Sequence, residues 1–192
     1  GECLRSLQQQ DYSQLEVLVI DGGSADETAD VVERHGELVS YWVSEDDGGQ
    51  ADAINKGLSA CNGSFWSYLN ADDVLEPGAL ARVAQVIAND PGARWISGVA
   101  TAFSASGEEF TISPQPGPLL DSLRFWERGT RYYFPCSVAS FMHREVFETI
   151  GGVDADLHFS MDTEFYVRAT IAGYRQTLVE DVLGRWRWHE DS

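Results

Sequence analysis

Ser64-Phe65-Trp66-Ser67-Tyr68-Leu69-Asn70-Ala71-Asp72-Asp73 is an apolar, aromatic-rich run that stops on two adjacent acids. Its composition predicts a buried strand, and Glu76-Pro77-Gly78 then opens a helix. Carboxylates at the C-terminal end of a buried strand lie at the rim where open α/β sheets bind ligands. Two neighbouring carboxylates repel, so a positive partner belongs beside them, and a divalent cation suits hard oxygen donors. The pair fits equally well an ordinary strand-to-helix turn in which Asp72 or Asp73 caps the helix.

The residues before this run repeat its grammar. Residues 16–20 form an aliphatic strand that ends in Asp21-Gly22-Gly23. Ser24 with Glu27 three positions on predicts a capping box and a helix running to about His35. Residues 38–43 read as the next strand, which delivers Ser44-Glu45-Asp46-Asp47-Gly48-Gly49. A helix over 50–60 follows, with Ala51, Ile54 and Leu58 on one side. Three successive strands thus deliver acids to one edge of a parallel sheet, and three in register predict a site. A short amphipathic helix over 3–10 precedes them, and a helix over 77–89 closes this half.

The second half differs in character. Residues 95–103 and 108–112 read as a hairpin, followed by a proline-rich loop over 113–118. A helix is expected over 119–126, an irregular aromatic stretch over 128–135, a strand over 137–143 and a helix over 144–150. Residues 159–173 predict a helix with Phe165, Ala169 and Ala172 along one face and Gly173 as its stop. Two short strands, 176–179 and 184–188, lead to His189.

The 192 residues suffice for one domain with a substantial core, and 43% hydrophobic content suits a folded globule. The formal charge is −18, with Lys56 as the single lysine, so nucleic acid and other polyanions are excluded as partners for want of a basic surface. Three dispersed cysteines without a CxxC predict reduced thiols and a cytoplasmic setting. No run reaches the roughly 18 apolar residues of a membrane helix.

With these residues in place, the chain resembles the inverting GT-A glycosyltransferases of family 2. The resemblance lies in residues 18–28, 44–57, 68–73, 144–154 and 161–168, in that order and at matching spacing. It implies a single α/β GT-A domain over 1–192: a Rossmann-like nucleotide-binding half over 1–92, with a mostly parallel sheet flanked by helices, and a smaller, mixed acceptor half over 93–192. Family members usually begin with a further apolar strand that floors the nucleobase pocket. Nothing before Gly1 matches it, so a truncated sequence or an incomplete pocket is expected.

The resemblance also implies roles. Asp21 matches the acid that binds the nucleobase; Gly23, Asp47, Gln50, Lys56 and Asp72 join it around the donor, Asp72 facing the ribose. Asp73 matches the metal-binding acid of a DXD-type motif, with Mg2+ or Mn2+ bridging the donor diphosphate, and His189 completes the shell. Asp162 matches the catalytic base, with Glu164 beside it; Arg168 is a further candidate for phosphate or sugar. As bare residues, Asp162 also suits a helix N-terminus, Lys56 and Arg168 a helix surface, and His189 a terminal surface. The implied reaction moves a sugar from a nucleotide-sugar, a UDP-sugar first among them, to a glycan or lipid-linked acceptor. That could take place at the inner face of the membrane, as in polysaccharide biosynthesis. A sugar nucleotidyltransferase and a catalytically silent glycan-binding module are the rival expectations.

Overall fold

The computed structural model describes residues 1–114 and 135–189. Strand β5 (Trp95–Phe103) is its axis, buried at seven of nine positions because apolar clusters cover its faces, one taking Ile96, Ala100 and Ala102 and the other Trp95. Along one edge it pairs antiparallel with β7 (Ser140–His143) and β6 (Glu109–Ile112). Along the other it pairs in parallel with β8 (Gln176–Arg187). β3 (Phe65–Trp66) extends the sheet beyond β7, and β4 (Val74–Leu75) extends it beyond β8. The register of β5 against β8 shifts around Gly98, where a Cβ would stand 2.4 Å from the Leu183 side chain. Only glycine permits that approach.

A second sheet holds β1 (Val17–Asp21) parallel to β2 (Val39–Ser44). The α/β class is as expected, but the mostly parallel sheet is not: among the described residues β1–β2 and β5–β8 are parallel and the four other ladders are antiparallel, because β3, β4, β6 and β7 join as antiparallel neighbours. Helix α3 (Gln50–Ala60) buries Ala51, Ile54 and Leu58, as its spacing required. It packs in a cluster with Trp95, Met142, Val146, Phe165 and Tyr166. Helix α1 (Glu2–Gln8) buries Cys3 and Leu4, and the Gln10 amide beyond it donates to Glu76 O and accepts from Leu80 N. α1 is thereby stapled to the start of α4 (Ala79–Asn89). Helix α5 (Arg144–Ile150) and helix α6 (Met161–Ile171) complete the described part. Among the described residues, no helix is long and apolar enough to cross a membrane.

Several local expectations change. Residues 67–70 carry no ladder, so the expected strand shortens to Phe65–Trp66 on one partner. The capping box is absent: α2 (Thr28–Arg34) starts four residues after Ser24, which turns back to Asp21, while Asp26 accepts from Thr28 N at 3.0 Å. The first three residues of the expected 137–143 strand form a 3-10 turn, Ser137–Ala139. The two C-terminal strands are one, β8, which runs through the exposed Glu180 and Asp181. In α6, Met161 and Tyr166 join Phe165 and Ala169 in the core, whereas Ala172 is exposed. The helix expected over 119–126, the irregular stretch over 128–134 and most of the proline-rich loop lie outside the described residues.

Candidate active site

Although β1–β2 and β3 belong to different sheets, the loops that follow them meet. A Cβ on Gly22 would touch the Asp47 carboxylate at 3.0–3.1 Å, and one on Gly23 would lie 2.9 Å from Asp46 Oδ1. The loop after β1 thus packs directly on the loop after β2, a closeness that a side chain would prevent. At the start of α3, Gln50 Nε2 donates to Asn70 Oδ1 and joins the β2 loop to the turn that carries Asp72 and Asp73.

Asp21 ends β1 half-buried and accepts Ser24 N at 3.0 Å, Ser24 Oγ at 2.5 Å and Ser44 Oγ at 2.6 Å. Desolvation raises its pKa, but the donors from Ser24, Ser44 and Gly23 outweigh it and hold the carboxyl below the usual carboxylate range. Asp21 is therefore a fixed, ionised acceptor. Asp47 Oδ1 takes Gly49 N at 2.8 Å, shaping its own loop. Lys56 forms ion pairs with Glu45 at 3.0 Å and Asp52 at 3.5 Å, so its charge is shared among acids of the α3 face.

The two acids of the deciding run occupy opposite environments. Asp73 is 1% exposed; one of its oxygens accepts Arg187 N at 2.8 Å and the other accepts Asn70 Nδ2 at 3.1 Å. Burial, with Asp72 adding to it, pushes its carboxyl up to about 6 against the donors that lower it. Asp72 faces outward, its side chain 43% exposed, and its Oδ2 lies 2.8 Å from His189 Nε2. Arg187 locks this turn to β8: its Nε donates to Asp72 O at 3.2 Å and its Nη2 bonds Glu2 Oε2 at 2.6 Å. Its guanidinium also lies 4.4 Å from the Phe103 ring centroid.

The folded state takes up a proton at Asp73 more readily than the unfolded chain. Its burial cost is absent below about pH 4, where both states are protonated, and is complete above about pH 6. The cost is on the order of 3 kcal/mol at most. We expect the wild-type melting temperature in EDTA to gain from this group as pH falls from 6 to 4. Thermal melts across that window should show Asp73→Asn lacking that contribution; identical pH dependence in both proteins would refute it.

Asp162, second residue of α6, is half-buried and accepts Thr163 N at 2.6 Å. Desolvation raises its pKa above the usual carboxylate value in spite of the Thr163 and Tyr68 donors. The chain enters α6 through Ser160 at φ 58°, a left-handed residue that turns Asp162 into place. Glu164 is bound bidentately by Arg168, which also donates to Ile150 O and Gly152 O, both at 2.7 Å. Glu164 and Arg168 therefore hold the 150–152 turn to α6.

The structure thus gathers Gln50, Asn70, Asp72, Asp73, Arg187 and His189 into one network, and Asp21, Gly23 and Asp47 into an adjoining one. Ser24, Ser44, Tyr68, Asn70 and Arg187 were not singled out as site residues from the sequence. Alternation in Arg185-Trp186-Arg187-Trp188-His189 puts Arg187 and His189 on one face, but no local signal names the turn they meet.

A divalent cation can be tested against this donor set. Among the described residues, no three His, Cys, Asp or Glu side chains cluster as a self-sufficient metal site. Asp72 and His189 do offer an outward carboxylate and an imidazole nitrogen at hydrogen-bond distance. Such a pair suits a cation that takes its remaining ligands from water and phosphate.

The family model described as Glycosyl transferase family 2 matches residues 1–151, and the chain belongs to that family. It is 29% identical over 172 residues to a glycosyltransferase of Mycobacterium tuberculosis, covering 88% of this chain and 62% of that protein. It is 31% identical over 173 residues to a PGL/p-HBAD biosynthesis glycosyltransferase of Mycobacterium bovis, covering 86% and 62%. The chain thus spans about three fifths of the length of these relatives. Among solved structures, S. aureus TarS 1-349 in complex with UDP-GlcNAc matches at TM-score 0.77 and 20% identity, over 98% of this chain and 54% of that one. Mannosyltransferase PcManGT from Pyrobaculum calidifontis, in complex with GDP-Man and Mn2+, matches at TM-score 0.70 and 24% identity, over 96% and 51%. The domain is a glycosyltransferase domain of the GT-A fold.

Proposed function

We propose that the domain transfers a sugar, with inversion, from a nucleotide-sugar to a hydroxyl of a glycan or lipid-linked acceptor, aided by Mg2+ or Mn2+. The observation that carries this reading is the meeting of three strand-end loops around Asp21, Asp47 and Asp72, beside which α6 supplies a desolvated carboxylate, Asp162. Asp21 accepts from the nucleobase. Asp72 and His189 hold the metal, and the burial of Asp73 supports this division over one in which Asp73 is the ligand. When bound, the cation would neutralise charge on the departing diphosphate. Asp162 takes the acceptor hydroxyl's proton as that oxygen attacks the anomeric carbon. One base and one displacement suffice for inversion. That solved structures of this fold hold UDP-GlcNAc or GDP-Man favours a nucleotide-sugar donor.

The test is a calorimetric titration of UDP, GDP and dTDP with Mn2+ and again with EDTA. Binding of one nucleotide that requires Mn2+ and weakens about tenfold or more in Asp21→Ala is expected, from loss of a charge-assisted hydrogen bond. Failure of all three to bind in either condition would overturn the donor-site reading.

A further inference from the structure

Asn55 stands midway along α3, where asparagine supports a helix less well than alanine because its amide competes for backbone groups. Here the amide engages a distant segment instead. Its Nδ2 donates to Val153 O at 2.8 Å and its Oδ1 accepts Val153 N at 3.0 Å, a double grip across 98 positions. From the other side, Arg168 of α6 holds Ile150 O and Gly152 O of the same turn. We propose that Asn55 is a positioning residue for the transfer reaction: through this turn it fixes how the Asp162 end of α6 stands to the donor-side end of α3. This rests on the reading of Asp162 as the base.

α3 and α6 share one apolar cluster, through Ile54 and Leu58 on the first and Met161 and Phe165 on the second. Apolar burial is non-directional, so it draws the helices in without fixing their slide or rotation. Hydrogen bonds from both helices to one turn do fix them, because each bond demands a distance and an angle. The bridge also lies close to the chemistry. At about 1.5 Å per residue, Asn55 is about 8 Å along α3 from Gln50, which binds Asn70 in the Asp72 turn. Arg168 is about 9 Å along α6 from Asp162. A general base must stay within hydrogen-bond reach of its proton, and a displacement of about 1 Å can cost about a hundredfold in rate.

The turn has no room for a side chain at Gly152. A Cβ there would stand 2.1 Å from Asn55 Oδ1 and 3.0 Å from its Cγ, and the three atoms nearest to it, out to 3.7 Å, all belong to the Asn55 amide. Asn55 requires this glycine, and the backbone does not: the left-handed glycine of the turn is its neighbour Gly151, at φ 83°. Gly152→Ala must therefore push the amide off Val153. Once Asn55→Ala has removed that amide, the same methyl meets its neighbours at ordinary contact distance. Each substitution breaks the grip from one side, and the two together break it once.

The experiment compares Asn55→Ala, Gly152→Ala and the double variant, each well below its melting temperature. Calorimetry reads Mn2+-dependent binding of UDP and of GDP, and nucleotide release from saturating UDP-GlcNAc and GDP-Man reads turnover. Amide hydrogen exchange, followed by NMR, reads the turn and α6. In Asn55→Ala, nucleotide affinity is expected to stay within about twofold of wild type while kcat falls about ten- to a hundredfold. Gly152→Ala should lose as much, and the double variant no more than Asn55→Ala. Amides of Val153 and of α6 should exchange faster in Asn55→Ala, with those of β1 and β2 unchanged; this reads the bridge whether or not either nucleotide-sugar is turned over. Losses that multiply in the double variant overturn the proposal, as does wild-type kcat in Asn55→Ala or an exchange change confined to Val153. A parallel fall in affinity and kcat would make Asn55 a structural residue and overturns it as well. Full activity of Asp162→Asn beside a lowered kcat in Asn55→Ala would overturn the base reading and with it the link to Asp162. An inactive Asp162→Asn beside multiplying losses overturns the bridge alone.

Discussion

Asp162→Asn is expected to leave nucleotide binding within about twofold of wild type and to lower the transfer rate by about 10²–10⁴-fold, the range that general base catalysis contributes. The asparagine keeps an oxygen for Thr163 N, so the entry of the chain into α6 survives. Loss of a negative charge at the helix N-terminus costs only about 0.3–1 kcal/mol. What disappears is the ability to take a proton. Desolvation raises the pKa of this group, which makes its ionised form a stronger base than an exposed aspartate. The same shift fixes the sign of the pH profile. Transfer requires the ionised form, so kcat/KM falls as pH drops through the Asp162 pKa, and that fall begins above the usual aspartate range. Steady-state kinetics with the nucleotide-sugar chosen by the titration, beside calorimetry on the same variant, separate the two effects. Transfer by the variant at the wild-type rate would remove Asp162 from the chemistry, and an equal loss of binding would make it a structural acid.

The legible parts of this fold are those whose burial is decided within one element. The bounds of α3 follow from Ala51, Ile54 and Leu58, and the β5–β6 hairpin follows from two strand-forming runs joined by the turn residues Ser104-Ala105-Ser106-Gly107, with Gly107 at φ +86°. Asp21 was singled out through the family resemblance, since an acid followed by two glycines occurs at many strand-to-helix turns. Its Ser24 and Ser44 donors were not, since Ser24 reads as a helix cap and Ser44 as the end of another strand. The failures share a cause: they depend on distant partners. Residues 67–70 have strand composition but no ladder neighbour, so composition overstated the strand. Glu180 and Asp181 interrupt an apolar pattern, yet β8 continues because β5 pairs with it on both sides of a bulge. Asp72 and Asp73 are chemically identical in sequence. The Arg187 backbone amide, 114 positions from Asp73, joins the nearby Asn70 amide in holding Asp73 inside while Asp72 faces out.

That division yields the second large effect: Asp72→Asn should abolish the Mn2+-dependent part of donor binding, leaving the affinity that EDTA leaves in wild type. A hard cation selects charged oxygen donors, and a neutral amide oxygen replaces one poorly. The Asp72 carboxylate is exposed enough to exchange its His189 contact for a metal ion, and His189→Ala should show a smaller loss of the same kind, since one neutral nitrogen is removed. Asp73→Asn is expected to behave differently. Its oxygens serve Arg187 N and Asn70 Nδ2 inside the protein, so the substitution disturbs the turn before it touches any ligand. Its effect should therefore appear in thermal stability, with Mn2+ dependence retained in whatever binding remains. Titrations of the three variants with and without Mn2+, each beside a thermal melt, read this directly. If Asp73→Asn lost the Mn2+ dependence at unchanged stability while Asp72→Asn kept it, the metal would belong to Asp73. The Arg187 contact would then have to break when the donor binds. Such a rearrangement would swing β8 and the Asp72 turn apart and release the Arg187 guanidinium from Asp72 O. The outward Asp72–His189 pair makes that rearrangement unnecessary, because it presents a carboxylate and an imidazole without breaking a buried hydrogen bond.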